Sequence, residues 1–225
     1  MSALGDRLAE TDARIAAAAR EAGRDPVEIT RIVITKFHPA ALVRELADLG
    51  VRDVGENRHQ EAQAKAAELS ELALRWHFVG QLQSKKARQV RRYASAVHSL
   101  DRDSVVDALA NPAADETLDV LLQLNLTDDP GRGGVAPDAM EALVERILTA
   151  PGLRLRGVMA VAPLAEDPRR AFARVRAASE RLRRLEPAAT AISAGMSQDY
   201  REAILEGATH LRIGTAITGK RPEPR

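Results

Sequence analysis

Apolar, β-branched residues gather in short runs along the chain, and between these runs apolar positions recur at helical spacing. "RIVITKF" (31–37) reads as a strand, and "AALVRELADLG" (40–50) as an amphipathic helix stopped by Gly50. The alternation continues from there. Further strands are predicted at 51–57, 75–80, 96–101, 118–126, 153–161, 189–195 and 210–217, each but the last followed by a helix. "LDVLLQLNL" (118–126) is almost continuously apolar, the mark of a strand covered on both faces. One more helix, over 2–22, precedes the first strand.

Strands that alternate with helices imply a parallel sheet. Eight of them in 225 residues predict an α/β fold, a (β/α)8 TIM barrel with an extra N-terminal helix. An open doubly wound sheet is the competing fold. No G-x-G-x-x-G follows the first strand, which argues against a dinucleotide-binding version. Nothing resembling a linker interrupts the chain. A single domain over 1–225 is expected, with 1–30 as leading helix and linker and 31–217 as barrel.

Composition narrows the chemistry. Aromatics make up 3%, so Ala, Val, Leu and Ile must build the core. A formal net charge of +1 offers no strong field for nucleic acid or an anionic membrane. Cysteine is absent, which excludes disulfides, thiolate catalysis and Cys-ligated metal. No His, Asp or Glu pair has metal-ligand spacing, so no metal is assigned. The N-terminus carries acids and arginines with no apolar h-region, and no run approaches a membrane span. A cytoplasmic protein is expected.

In a parallel barrel, chemistry gathers at the C-terminal ends of the strands. Lys36, Glu56, Asn57, His77, His98, Asp101, Asn125, Met159, Ser193, Arg212, Gly214 and Thr215 all fall in or just after predicted strands. Gly214 and Thr215 offer backbone N–H groups and a hydroxyl with no bulk in the way, suited to an oxyanion. "SAGMS" (193–197) places two hydroxyls around a glycine ahead of a helix, although Ser197 reads equally as an N-cap. Lys36 reads either as the first residue back in water or as a nucleophile. A lysine becomes nucleophilic where burial or a neighbouring cation disfavours its ammonium. Arg212 would be that neighbour, because the last strand pairs with the first in a closed barrel. An amine beside a phosphate cradle points to pyridoxal 5′-phosphate (PLP).

Other segments have plainer readings. "KKARQVRR" (85–92) is a solvated helix face, with an anion or RNA patch as the alternative. "GRGG" (131–134) is a mobile loop or a second cradle. His77 is a packed barrel residue, and His38 and His59 lie beside the rim.

The segments "ITKFHPA", "VGENRHQEAQAK", "WHFVGQLQSKKAR", "VHSLDR", "LQLNLTDDPGRGG", "LRLRGVMAV" and "SAGMSQDYREAILEGATHLRIGTAITGKR" occur in this order over about nine-tenths of the chain. Together they resemble the pyridoxal-phosphate homeostasis proteins (the YggS or PROSC family), which are similar to the N-terminal barrel of alanine racemase. The resemblance implies a fold-type III PLP site. Lys36 would hold PLP as a Schiff base, and Asn57 would line the ring-side pocket. Ser193, Ser197, Gly214 and Thr215 would hold the phosphate. Arg212 would face the pyridine nitrogen, and Met196 would pack against the cofactor. Two departures stand out: Lys85 where the family usually has Asn, and "SAGMS" where "SMGMS" is common.

The implied role is intracellular PLP homeostasis with little or no turnover. PLP and client PLP apoenzymes are the expected partners, and a monomer is expected. The alternative is an amino-acid racemase or a related PLP enzyme. Two-base racemisation needs a second proton carrier opposite the lysine. In the racemases a tyrosine of a separate C-terminal domain supplies it, and the chain ending at Arg225 is expected to lack that domain. Of the two tyrosines here, Tyr93 is expected at the wrong end of the barrel, and Tyr200 is expected to pack.

Overall fold

In the computed structural model, which describes residues 2–129 and 131–220, eight parallel strands close into a barrel in sequence order. They are β1 (Thr30–Ile34), β2 (Asp53–Glu56), β3 (Arg75–Phe78), β4 (Ala96–Leu100), β5 (Leu118–Gln123), β6 (Leu153–Met159), β7 (Ala191–Ser193) and β8 (His210–Ile213). Closure comes from β8 pairing with β1, with Ile32 opposite Arg212 and Val33 opposite Ile213. The seam between β7 and β8 is slight, with the single partnership Ser193–His210. Residue 1, residue 130 and residues 221–225 of the expected domain lie outside the described residues.

Helices follow the strands: α2 (Ala40–Asp48), α3 (His59–Glu68), α4 (Ser84–Arg91), α5 (Asp103–Leu109), α6 (Met140–Leu148), α7 (Pro168–Leu185) and α8 (Tyr200–Leu205). After β8 comes only the short α9 (Thr215–Thr218). The first helix, α1 (Ala3–Glu21), fills the gap in the outer ring. On one side Arg24 donates to Ala208 O at 2.7 Å, and Arg201 pairs with Glu21. On the other, Ser2 donates to Glu45 of α2 at 2.6 Å, and Arg7 reaches Ile217 O at 2.7 Å. The helix expected as an addition is therefore the eighth member of the ring. Among the described residues no helix is long and apolar enough to cross a membrane.

Each strand lies within or one residue beyond its predicted window but ends early. β8 stops at Ile213, not 217: Thr215–Thr218 is helical because Ile217 N, Thr218 N and the Thr218 hydroxyl all close on Gly214 O. The alternating β-branched residues of "IGTAIT" imitate a strand, and Gly214 ends it. β1 likewise stops two residues short of Lys36, β5 three residues short of 126, and β7 at Ser193.

Period-two alternation gives the barrel two unlike interiors. Outward residues such as Val33, Val54, Trp76, Phe78, Val97, Val120 and Val158 pack under the helices in one apolar layer. Inside the lumen the apolar part is smaller and includes Ile32, Ile34, Leu121, Met159 and Ala191. Much of the rest is polar, with Asp53, His77, His98, Ser193 and Arg212 all buried. Gly157 makes room for close strands. Its φ is +151°, and a Cβ there would lie 1.8 Å from Ala191 O.

The buried imidazoles make stability pH-dependent. Burial pulls His98 and His210 below the ordinary 6.5, His210 to about 4. The unfolded chain takes up these protons near 6.5, and the folded chain refuses them until lower pH. Stability is therefore complete above pH 6.5 and falls as pH drops from there toward 4. Urea unfolding should show a lower midpoint at about pH 5 than at about pH 7, and His210→Gln should shrink the difference.

Candidate functional site

The backbone on both sides of Lys36 is tied down. Thr35 N donates to Gly55 O at 3.0 Å, and the Thr35 hydroxyl donates to Glu56 Oε1 at 2.7 Å. From α3, Lys65 Nζ donates to Thr35 O at 2.9 Å and to Glu56 Oε1 at 2.6 Å. On the far side Phe37 N donates to Glu61 Oε2 at 2.9 Å. Phe37 has φ +68°, a strained conformation for a residue with a β-carbon. Bonds from two neighbouring elements thus hold a turn that the local chain does not favour. Burial raises the Glu56 carboxyl, and the Lys65 and Thr35 hydrogen bonds oppose that rise.

This turn opens onto a cavity of about 750 Å³ at the C-terminal end of the barrel. Seven of the eight expected site residues line it: Lys36, Asn57, Met196, Ser197, Arg212, Gly214 and Thr215. Ile34, Val79, Met159 and Val161 give it an apolar wall. Asn57 comes close because position 80 is glycine. A Cβ there would lie 2.0 Å from Asn57 O. Gly214 and Thr215 begin α9, where the first N–H groups have no partner within the helix.

Arg212 is buried at 5% exposure. Its Nη1 donates to Ser193 O at 2.7 Å and Ser193 Oγ at 2.8 Å, and its Nη2 donates to Ala160 O at 2.8 Å. Burial pulls its pKa down to about 10. Three hydrogen bonds fix the guanidinium and leave its other donors for the cavity. Ser193 stands apart from the other seven. It is fully buried beneath Arg212, does not line the cavity, and meets His98 Nδ1 at 2.9 Å.

Ser197 is not an N-cap. Its Oγ accepts from Ala216 N at 3.3 Å, which ties the turn after β7 to α9. Asp199 precedes α8 instead and accepts from Met196 N at 2.6 Å. Hydrogen bonds hold Gly133 and Gly134 after β5. Gln123 Nε2 donates to Gly133 O at 2.9 Å, and Gly134 N donates to Asp101 Oδ2 at 3.2 Å. This brings Arg132 to the cavity, together with Glu166 and Asp199. None of these three was singled out from the sequence. Arg132 had a signal, since "GRGG" was a candidate cradle. Glu166 and Asp199 had none beyond their nearness to strand ends.

Residues given plain readings behave so. His77 is packed and hydrogen-bonded. His59 bonds Gln89 at 2.7 Å and stacks on Tyr93. Tyr200 packs against the core, and neither tyrosine lines the cavity. On α4, Ala87 and Val90 face inward while Lys85, Arg88 and Arg92 are exposed.

Residues 10–222 match the family described as alanine racemase, N-terminal domain, so the fold and rim define a barrel of that class. The chain is 44% identical over 226 residues to the pyridoxal phosphate homeostasis protein of Pseudomonas aeruginosa, covering 98% of this chain and 97% of that protein. PipY of Synechococcus elongatus is 34% identical and covered over its full length by 96% of this chain. Its structures superpose with TM-scores of 0.86 without PLP and 0.83 with PLP bound. Alanine racemase from Corynebacterium glutamicum shares the fold alone, at 17% identity and a TM-score of 0.70 over 61% of its length. The chain belongs to the pyridoxal phosphate homeostasis protein family.

The pair beneath the Lys36 turn is open to test. Lys65→Met leaves the Glu56 carboxylate buried without its cation and should cost about 3–5 kcal/mol, read from urea unfolding. Adding Glu56→Gln should recover most of that loss, because the uncompensated charge goes with it.

Proposed function

We propose that the protein binds PLP at this cavity and serves intracellular PLP homeostasis in the cytoplasm, with little turnover of its own. One observation carries the reading: a single cavity collects a primary amine, a buried arginine and a pair of helix-start amides. That donor set matches an aldehyde-bearing pyridine phosphate ester. Lys36 would hold the group through its amine, and the chemistry the group would supply there is that of a reactive aldehyde on a pyridine ring. Gly214 and Thr215, with Ser197 beside them, would hold the phosphate as hydrogen-bond donors. Arg212 would be a hydrogen-bond donor toward the ring nitrogen, which would favour its unprotonated form and weaken the ring as an electron sink. Asn57 would line the ring-side pocket, and Met196 would pack against the cofactor.

Two further points support binding over catalysis. The described residues lining the cavity include no tyrosine that could act as a second proton carrier. The relative solved with PLP bound, PipY, is the closer in sequence, whereas the racemase shares only the fold. We also propose that the chain works as a single-domain monomer and that client apoenzymes take the cofactor from the open mouth.

Purified protein mixed with PLP should turn yellow, and borohydride should fix the cofactor to Lys36, read by peptide mass mapping. Lys36→Ala should lose the fixed adduct and bind PLP at least about tenfold more weakly, while the phosphate contacts keep residual affinity. Equal trapping by variant and parent sinks the assignment of Lys36. Efficient racemisation of alanine by the parent sinks the non-catalytic role.

A further inference from the structure

A line of buried polar side chains crosses the lumen from the strand-start end to the cavity. Asp53, the first residue of β2, accepts from Arg75 Nε at 2.7 Å and also pairs with its Nη2. Asp53 Oδ1 meets His77 Nε2 at 2.9 Å. His77 Nδ1 meets His98 Nε2 at 3.0 Å, and His98 Nδ1 meets Ser193 Oγ at 2.9 Å. Ser193 Oγ in turn accepts from Arg212 Nη1 at 2.8 Å. β4 and β7 are not neighbours, so the His98–Ser193 bond spans the lumen itself.

The chemistry of the two ends gives the line one direction. Burial alone would raise Asp53, but the hydrogen bonds from His77 and Arg75 outweigh it and hold the carboxyl well below its ordinary range. It is therefore an acceptor only. Burial, with His77, His210 and Arg212 nearby, keeps His98 neutral, with one donor and one acceptor nitrogen. A neutral His77 then donates to Asp53 through Nε2 and accepts at Nδ1. His98 must donate through Nε2 and accept at Nδ1 from the Ser193 hydroxyl. Ser193 is left with lone pairs, and Arg212 donates to one of them. With both imidazoles neutral, every contact on the line pairs one donor with one acceptor in this direction.

We propose that Asp53, His77, His98 and Ser193 form a positioning relay for Arg212, in which the carboxylate at one end of the barrel sets the orientation of the guanidinium at the other. Ser193 then serves the site through Arg212 and not as a phosphate ligand. The effect of the relay on the cofactor rests on the reading of the cavity as a PLP site. The relay itself does not.

Two readouts separate these. Without cofactor, nitrogen-15 NMR of the folded protein should report His77 and His98 as neutral Nε2–H tautomers near neutral pH. A cationic or Nδ1–H form of His98 overturns the relay whatever the cavity binds. Asp53→Asn keeps the volume but removes the charge that holds the proton on His77 Nε2, so both imidazoles should become mixed in tautomer. In the PLP-loaded protein, Asp53→Asn and Ser193→Ala should each shift the visible absorbance maximum and weaken PLP binding about tenfold. Borohydride trapping on Lys36 should survive in both. The double variant should be no weaker than either single one, because both cut one line. Additive losses, or folded variants with parental absorbance and affinity, overturn the relay. If Asp53→Asn does not fold, Ser193→Ala and the parental tautomers carry the test. If the parent fails to trap PLP, the proposed function fails and the tautomers still decide the relay.

Discussion

Everything at the cavity depends on β8 closing against β1. The two strands are more than 170 residues apart in the chain, yet their pairing sets Ile32 beside Arg212 and Val33 beside Ile213. Lys36 and Gly214 are then the first residues beyond two adjacent strands to face the same mouth. In a parallel barrel the strand ends share one rim, so groups with no sequence relation become neighbours through backbone hydrogen bonds alone. The amine needs this pairing to meet the amides at the start of α9.

Held in that position, the Lys36 turn leans on a second layer of interactions. Lys65 and Glu61 reach it from α3, and Thr35 and Glu56 lock it to β2. The layer is costly, since it buries an ion pair and holds Phe37 at positive φ. Arg212 has a comparable footing in Ser193 and Ala160 O. Lys36 and Arg212 therefore sit on hydrogen-bonded supports of separate origin. Met196 and Leu164, in contrast, are exposed at the mouth.

Much of this was legible in the sequence, for physical reasons. β-branched runs of period two separated by helical periods fixed the number and order of the strands, and the rim rule then selected Lys36, Asn57, Arg212, Gly214 and Thr215. What stayed hidden depends on contacts between distant strands. Nothing near His98 announces a bond to Ser193, 95 residues away. Lys65 read as one polar position on a helix, and burial against Glu56 appears only once α3 lies on β2. The end of β8 was misread because Thr215 and Ile217 have strand-like side chains, while the decision rested with Gly214 and its carbonyl. Ser197 looked like a cap because hydroxyls before helices usually are, but it turned to Ala216 instead.

The outer ring is completed by a helix from the front of the chain lying against elements from its back. Arg7 bonds Ile217 O across 210 positions of sequence. During synthesis at about 5–20 residues per second, α1 leaves the ribosome roughly 10–40 s before its partners exist. Until then the face bearing Leu4, Leu8 and Ile15 has no ring to enter, and the stave between β7 and β1 is missing. β8 and α9 are thus the clasp of the whole hoop, and a nascent chain stalled before β8 carries an unsealed vessel and a greasy loose end.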